Sequence, residues 1–449
     1  MTPDIFQESL KDIQEFLPRN TKVGKEAEMK NRRRFPAITA VAAFLAVCLA
    51  GCGKKTPEPV EITLIHGWGT TEEDHVVMRD IYQDFEQENP DVKLNQLSMP
   101  SGSEMVRKTE DLLVAGEIPD LVFLGGSGKD TVYQFMVEND LALDLMPYIR
   151  EDREFAGNLA PVNIDFWTTG EEQLFTISDV LLLSGGYWYD QGIFEAAGVE
   201  KIPETWEEFL IVCEQIEDWA EKEKNGVECL QMSSEAYLYF MDHLLAVQNS
   251  ASGDAIRSQR LYLEESAAED ALHTLREIYR YSRADGDYSY RDETDAFNDG
   301  KTAMYINGIW GAPMISDQID AAYALLPSEK GEKISCVSAC LGYILGKTGD
   351  EKKQDASVRF VKYMLSTPVQ ERILKETEQV PANPHVDIRK YQKGMERFVQ
   401  AADIVKAAGV RIQVPDNLWS SGARDNFMEG IDDVLKGEIS DEEFLHSLK

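Results

Sequence analysis

Gly67-Trp68-Gly69 follows an alternating apolar stretch and precedes a helical one. Dinucleotide-binding proteins place a glycine turn against a pyrophosphate at such a junction. The third glycine of that fingerprint falls at position 72, where Glu72 would repel the phosphates. The turn reads instead as a short loop at the carboxyl end of a strand, with Trp68 projecting over a ligand cleft; core packing is the competing role for that ring. Gly125-Gly126-Ser127-Gly128-Lys129-Asp130 has the look of a phosphate loop. Yet Phe123 replaces its first glycine, and Asp130 replaces the Ser or Thr that would hold magnesium. A small-residue loop that lets backbone amides approach a ligand fits better, as does a plain turn.

Enzymatic constellations are thin. The sequence has no G-x-S-x-G and no H-E-x-x-H, and its 6 histidines form no cluster. A glycosidase-type carboxylate pair is compatible with so many acids, but for the same reason candidate pairs carry little information. Cys336 and Cys340 have a metal-like spacing with no nearby histidine to complete a zinc site. Buried free thiols are expected for these two and for Cys213 and Cys229, with a Cys213–Cys229 bridge left open. No cofactor and no metal is expected.

The chain has 449 residues, 45 Lys and Arg against 80 Asp and Glu, and a formal charge of −35. Residues 1–51 hold 8 of the basic and 6 of the acidic residues, so the remainder keeps 37 and 74 and stands at −37. So acidic a surface repels phosphate backbones, which argues against nucleic acid as a partner. About 400 residues exceed what one core usually serves, so two lobes are expected.

A cationic stretch, Lys30 to Arg34, precedes the uncharged run Phe35 to Gly51. Together they have the proportions of a secretory signal, and the run falls short of the roughly 20 residues of a membrane-spanning helix. Leu49-Ala50-Gly51-Cys52 resembles the lipobox of bacterial lipoproteins. The resemblance implies cleavage before Cys52, lipidation of its thiol and an extracytoplasmic protein held at the cell membrane by acyl chains. Met29 begins a well-proportioned signal by itself. Residues 1–28 are therefore read as a mis-assigned extension, 29–51 as signal peptide and 52–59 as a lipidated tether.

Glu61 to Ile65 alternates and reads as a strand. A helix is expected from Thr71, where Thr71 and Asp74 have capping-box spacing. Asn89-Pro90-Asp91 stops it, and Val92 to Leu97 alternates as the next strand. A helix over 103–115 and a buried strand over 121–124 follow, then a strand-like stretch from Leu174 to Val180. Thr205 and Glu208 cap a long helix, and Asp285-Gly286-Asp287 is a turn. Strands alternating with helices argue for an α/β fold with a mainly parallel sheet.

Several phrases, in a fixed order, resemble extracellular solute-binding proteins of ATP-driven (ABC) importers, in the sugar-binding, maltose-binding-protein-like branch. They are IYQDFEQENPDV from Ile81, IPDLV from Ile118, YDQGIFEAAGV from Tyr189 and PETWEEF from Pro203. AFNDGKTAMYINGIW from Ala296 is the most specific, followed by FVKYMLSTPVQ from Phe360 and VPAN from Val380.

The resemblance implies an α/β two-lobe periplasmic-binding-protein-like fold whose discontinuous lobes are joined by crossing hinge strands near 176–181, 336–342 and 383–388. One lobe would comprise 60–177 plus 341–384, the other 178–338 plus 388–449. A carbohydrate, of oligosaccharide size, would be held between them and passed to importer permeases by a monomeric protein that does no chemistry. Trp310 would stack on the sugar, with Trp68 second on the opposite lobe. Asp179 would accept hydroxyl hydrogen bonds, Gly126 and Ser127 would line a loop, and Ser338 and Tyr343 would flank the second crossover. Trp206 and Asp120 read as structural. The segment Val180 to Trp188 is longer than the family's, leaving Tyr187 or Trp188 as replacements for Asp179. The rival functions are an extracytoplasmic carbohydrate-active enzyme and a binding protein for a non-sugar solute or for sensing.

Overall fold

A computed structural model describes residues 58–125, 131–250, 265–282, 288–412 and 421–448. Cys52, the signal segment, residues 1–28, Gly126, Ser127 and the 285–287 turn lie outside them. Among the described residues, no helix is long and apolar enough to cross a membrane.

The folded part opens with β1 (Val60–His66), β2 (Val92–Ser98) and β3 (Leu121–Phe123). β1 runs parallel to both neighbours, with Ile62 opposite Leu94 and Leu64 opposite Leu121. Parallel pairing requires crossovers, which the helices Glu73–Glu88 and Gly102–Val114 supply. The first of these buries Met78, Ile81, Tyr82 and Phe85 on one face. It starts at Glu73, and its cap residue Glu72 makes no side-chain cap bond, so the expected Thr71–Asp74 capping box does not form. Thr70 Oγ1 bonds Glu72 and His75 there instead. The Thr205–Glu208 box does form, with both of its hydrogen bonds.

Between Thr176 and Asp190 the chain makes three strands, β4 (Thr176–Ile177), β5 (Val180–Ser184) and β6 (Gly186–Asp190). Gly185 separates the last two at φ +90°, where a side chain would be strained and a Cβ would lie 2.9 Å from the Cys336 amide. The chain changes sheets at this kink. The long segment is thus a hinge strand followed by a core strand, and Tyr187 and Trp188 are fully buried.

The remaining strands are β7 (Glu228–Leu230), β8 (Thr302–Ile306), β9 (Ala321–Leu325), β10 (Ile334–Ser338), β11 (Tyr343–Leu345), β12 (Val380–Pro381) and β13 (Val410–Ile412). Among the described residues they complete three sheets, ordered β2-β1-β3-β11-β4, β7-β8-β6-β9 and β12-β5-β10-β13. The third joins the other two along the chain, because β5 follows β4 directly and β10 precedes β11. One core gathers residues from Ile62 to Val180 and resumes from Ala339 to Ala382. Another gathers residues from Tyr187 to Leu448, and a smaller one packs the third sheet.

Asp120 is buried and accepts hydrogen bonds from the Thr63 amide (2.9 Å) and Lys353 Nζ (3.2 Å), the structural role expected of it. Trp206 likewise packs on Phe209, Phe240 and His243. Cys213, Cys229, Cys336 and Cys340 are buried thiols outside any disulfide, so no Cys213–Cys229 bridge forms.

Candidate functional site

The chain passes from β4 to β5 through Ser178 and Asp179, and both are tied down from several directions. Asn163 brackets Ser178, donating to its carbonyl (2.7 Å) and accepting from its amide (3.0 Å). Trp167 Nε1 donates to Ser178 Oγ (2.9 Å), which donates in turn to the Ala339 carbonyl on the return crossover. Gln370 Nε2 donates to the Asp179 carbonyl (2.7 Å), and Gln370 Oε1 accepts from the Asn383 amide (3.0 Å). Three passes of the chain are therefore stitched together by buried side chains. Such a knot fixes where the backbone is allowed to bend.

The Asp179 side chain is only 1% exposed. Its Oδ2 accepts from Tyr343 Oη (2.7 Å), and Tyr343 Oη lies 2.8 Å from Tyr82 Oη. Tyr82 Oη in turn accepts from Trp68 Nε1 (3.0 Å). Burial pushes the Asp179 carboxyl up to about 6, against the opposing pull of the Tyr343 hydroxyl. Three of the residues singled out in the sequence, Trp68, Tyr343 and Asp179, are thus brought together, and the link that joins them is Tyr82. Tyr82 sits on the buried face of its helix. The only sequence signal for its role is a tyrosine where that face otherwise holds Met78, Ile81 and Phe85.

Trp68 is half-buried at the carboxyl end of β1. Its ring packs against Phe123 and edge-on to His75. Its amide donates to His66 Nδ1 (3.1 Å), and its carbonyl accepts from Arg79. Because Nδ1 accepts, His66 is the neutral Nε2–H tautomer, and burial holds its pKa down to about 4. A Cβ on Gly69 would lie 2.4 Å from the Met99 carbonyl oxygen, so close backbone approach explains the second glycine of the turn.

A further half-buried tryptophan, Trp310, follows β8 in a 3-10 turn, Ile309–Met314. Its indole lies flat over Gly308, where a Cβ would sit 2.1 Å from the ring. The loop beneath is held by Trp188 Nε1 donating to the Gly308 carbonyl (3.0 Å) and by Asn307 Nδ2 donating to the hydroxyls of Tyr290 (2.7 Å) and Tyr305 (2.6 Å). Tyr239 meets Trp310 edge-on with centroids 6.0 Å apart. The half-buried Tyr239 and Tyr290 carry no motif of their own, and sequence reading missed them.

Glu293, one turn beyond Tyr290, is 2% exposed and accepts from the Ser233 amide, while its Oε2 has no partner. Burial pushes this carboxyl up to about 8, so it is protonated at neutral pH.

Of the seven ligand-binding candidates, then, Trp68 and Trp310 present ring surface from different sheets. Asp179, Ser338 and Tyr343 are buried at the crossovers, and Gly126 and Ser127 fall outside the described residues. Glu72, Asp74 and His75 have ligand atoms within 4.8 Å of one another, a spacing a cation could use. His75 Nδ1 is engaged by Thr70 Oγ1 at 2.7 Å, however, and nothing else around the group points to an ion.

Comparison with known proteins follows the same line. The family model described as bacterial extracellular solute-binding protein matches residues 80–398. A multiple sugar-binding protein of Streptococcus mutans is 23% identical over 380 residues, covering 77% of this chain and 85% of that one. Among solved structures, a Streptococcus pneumoniae solute-binding protein in complex with the blood group A-trisaccharide superposes with a TM-score of 0.72 at 20% identity. The match covers 86% of this chain and 98% of that one. Maltose-bound T. maritima MalE3 gives 0.65 at 18% identity, over 87% and 98%. These likenesses establish a shared two-lobe fold.

Proposed function

Since the chain belongs to the family of bacterial extracellular solute-binding proteins, we propose that it captures an oligosaccharide between its lobes and delivers it to an ATP-driven importer. The observation that carries this reading is the pair of half-buried tryptophans, Trp68 and Trp310, each set on a rigid support at the end of a different sheet. A pyranose ring has an apolar face that packs on an indole, while its hydroxyls need polar partners around the rim. Tyr239 and Tyr290 beside Trp310 offer such hydroxyls.

The lobes comprise 60–177 plus 341–384 and 178–338 plus 388–449, a division supported by the two large cores. Ligand contacting both lobes favours their closed arrangement, and the stitched crossovers at Ser178, Asp179, Ala339 and Asn383 confine the bend. The protein does no chemistry on its cargo. Lipidation at Cys52 holds it at the outer face of the membrane, beside the permease subunits that receive the sugar.

A thermal-shift screen with maltotriose, raffinose, chitotriose and xylotriose, followed by calorimetry on any hit, tests the reading. A sugar that raises the melting temperature and compacts the protein in solution scattering is expected. Turnover of a glycan, or binding confined to non-sugar solutes, would overturn it. Cys52→Ala is expected to release the protein from membranes, and unchanged membrane association would remove the anchor.

A further inference from the structure

We propose that Tyr82 and Tyr343 are positioning residues for ligand capture, carrying the state of the Asp179 crossover to the Trp68 indole through one directed hydrogen-bond chain. The proposal rests on the reading of Trp68 as a sugar-stacking residue.

The direction follows from donor chemistry. An indole Nε1 can only donate, and an ionised carboxylate can only accept. With Trp68 Nε1 at 3.0 Å from Tyr82 Oη, and Tyr343 Oη at 2.7 Å from Asp179 Oδ2, both hydroxyls must donate toward Asp179. The 2.8 Å contact between them is then a bond from Tyr82 to Tyr343. Both tyrosines are fully buried, so no solvent competes for these bonds, and the low local dielectric strengthens them.

The two ends of the chain differ in kind. Asp179 stands on the crossover between two sheets, the connection through which one lobe is attached to the other. Trp68 is half-buried, and its backbone is fixed by His66 and Arg79. Rotation of the ring about its side-chain bonds is narrowed by Phe123 and His75 and fixed by the Nε1 bond.

Protonation of Asp179 weakens the directionality. A neutral carboxyl carries its proton on Oδ2, facing Tyr343, or on Oδ1, which has no partner. On Oδ2 the proton leaves the chain one hydrogen too many and one buried hydroxyl pointing at another donor or at nothing. On Oδ1 the neutral carboxyl is a weaker acceptor than the carboxylate, and the pull that orders Tyr343, Tyr82 and the indole falls. Burial places this change near pH 6.

The titratable groups around Asp179 are Tyr343 on β11 and Tyr82 on the helix Glu73–Glu88, both kept protonated by burial. Gln370 and the Ala382 amide, which bond its carbonyl, are uncharged. Around Trp68 stand His66, His75 and Arg79. His66 stays neutral down to about pH 4. His75 packs edge-on to Trp68 with ring centroids 5.0 Å apart, so the test includes a variant that removes it.

The test reads the indole N–H resonance of Trp68 in the full chain, assigned by its loss in Trp68→Phe, from pH 4.5 to 8. A step near pH 6 is expected in the wild type. It should vanish in Tyr343→Phe and in Asp179→Asn, and it should persist in His75→Gln. A flat wild-type resonance, a step that survives Tyr343→Phe, or a step abolished by His75→Gln would each overturn the proposal. This arm needs no sugar, so its failure is distinct from failure of the carbohydrate reading.

The second arm is calorimetry of Tyr82→Phe with maltotriose or raffinose, whichever shifts the melting temperature of the wild type. Affinity roughly 3- to 10-fold weaker than wild type is expected at pH 7.5. The difference should shrink at pH 5, where a protonated Asp179 orders the wild-type chain less firmly. An equal loss at both pH values, or none at pH 7.5, would make Tyr82 a packing residue and sink the positioning role.

Discussion

The two tryptophans proposed to face ligand are held by opposite means. Trp68 is held by polarity: its indole nitrogen is the first donor in a buried chain ending on the Asp179 carboxylate. Trp310 is held chiefly by sterics: its ring rests on a residue with no side chain, and the loop below is pinned through its backbone by Trp188 and through Asn307, while its side chain also hydrogen-bonds the Tyr290 hydroxyl. A support made of hydrogen bonds can be switched by a proton or a strained hinge. A support made chiefly of excluded volume, with a tyrosine hydroxyl that burial keeps protonated as its polar partner, is far harder to switch, so Trp310 would offer a permanent platform and Trp68 a conditional one.

The sharpest break in that contrast comes from Gly308. Adding one methyl there puts a carbon about 2 Å from the ring, so Gly308→Ala must displace the indole. Calorimetry with the sugar found by screening should show Gly308→Ala weakened nearly as much as Trp310→Ala, on the order of 1–3 kcal/mol if stacking dominates. Wild-type affinity in Gly308→Ala would mean that the ring has room to move and that sterics do not place it.

Trp68→Ala should cost less, about 1 kcal/mol or slightly more, because it removes one ring from a platform already held by the other lobe. Its loss should also be smaller below pH 6 than above, whereas the loss in Trp310→Ala should not depend on pH. Parallel pH profiles for the two variants would erase the distinction between the two walls.

The sequence made the two platforms visible to different degrees. Trp310 lies in AFNDGKTAMYINGIW, a local phrase in which the glycine and the aromatic ring it supports are two residues apart, so a linear reading can find both. The support of Trp68 is assembled from positions 82, 179 and 343, which nothing in the linear chain associates. Tyr343 and Asp179 read in the sequence as residues near a crossover that would meet sugar; the fold turns both inward, bonds them to each other and joins them to Trp68 through Tyr82. The fold itself was more legible, because alternation and turn residues mark β1 to β3 locally. The division of Thr176–Asp190 into three strands was not, since Gly185 reads as one small residue among apolar ones until its φ of +90° is seen. The capping boxes make the same point. The Thr205 box forms, whereas at Thr71 the His75 side chain takes the Thr70 hydroxyl and the helix starts later.

The smallest expected effect concerns the buried carboxyl near each platform. Burial raises Asp179 from 3.8 to about 6 and Glu293 from 4.5 to about 8. A carboxyl whose pKa is higher in the folded than in the unfolded chain contributes stability below the unfolded value, and that contribution is lost as pH rises through the folded value. For Glu293 the window runs from about 4.5 to 8, and for Asp179 from about 4 to 6. Glu293→Gln should therefore melt progressively higher relative to wild type as pH rises from 5 to 8, because the amide never has to ionise. Asp179→Asn should complete its relative gain by about pH 6.5. The comparison is decided by what accompanies each gain. Glu293 is bonded to Ser233 rather than to the indole, so its substitution should shift melting temperatures and leave the Trp310 platform indifferent to pH. Asp179→Asn should shift them and also abolish the Trp68 titration, because that carboxyl is wired to its ring. A Glu293→Gln melting difference that stays constant from pH 5 to 8 would show that this carboxyl ionises no differently in the folded chain, and the symmetry between the two walls would be lost.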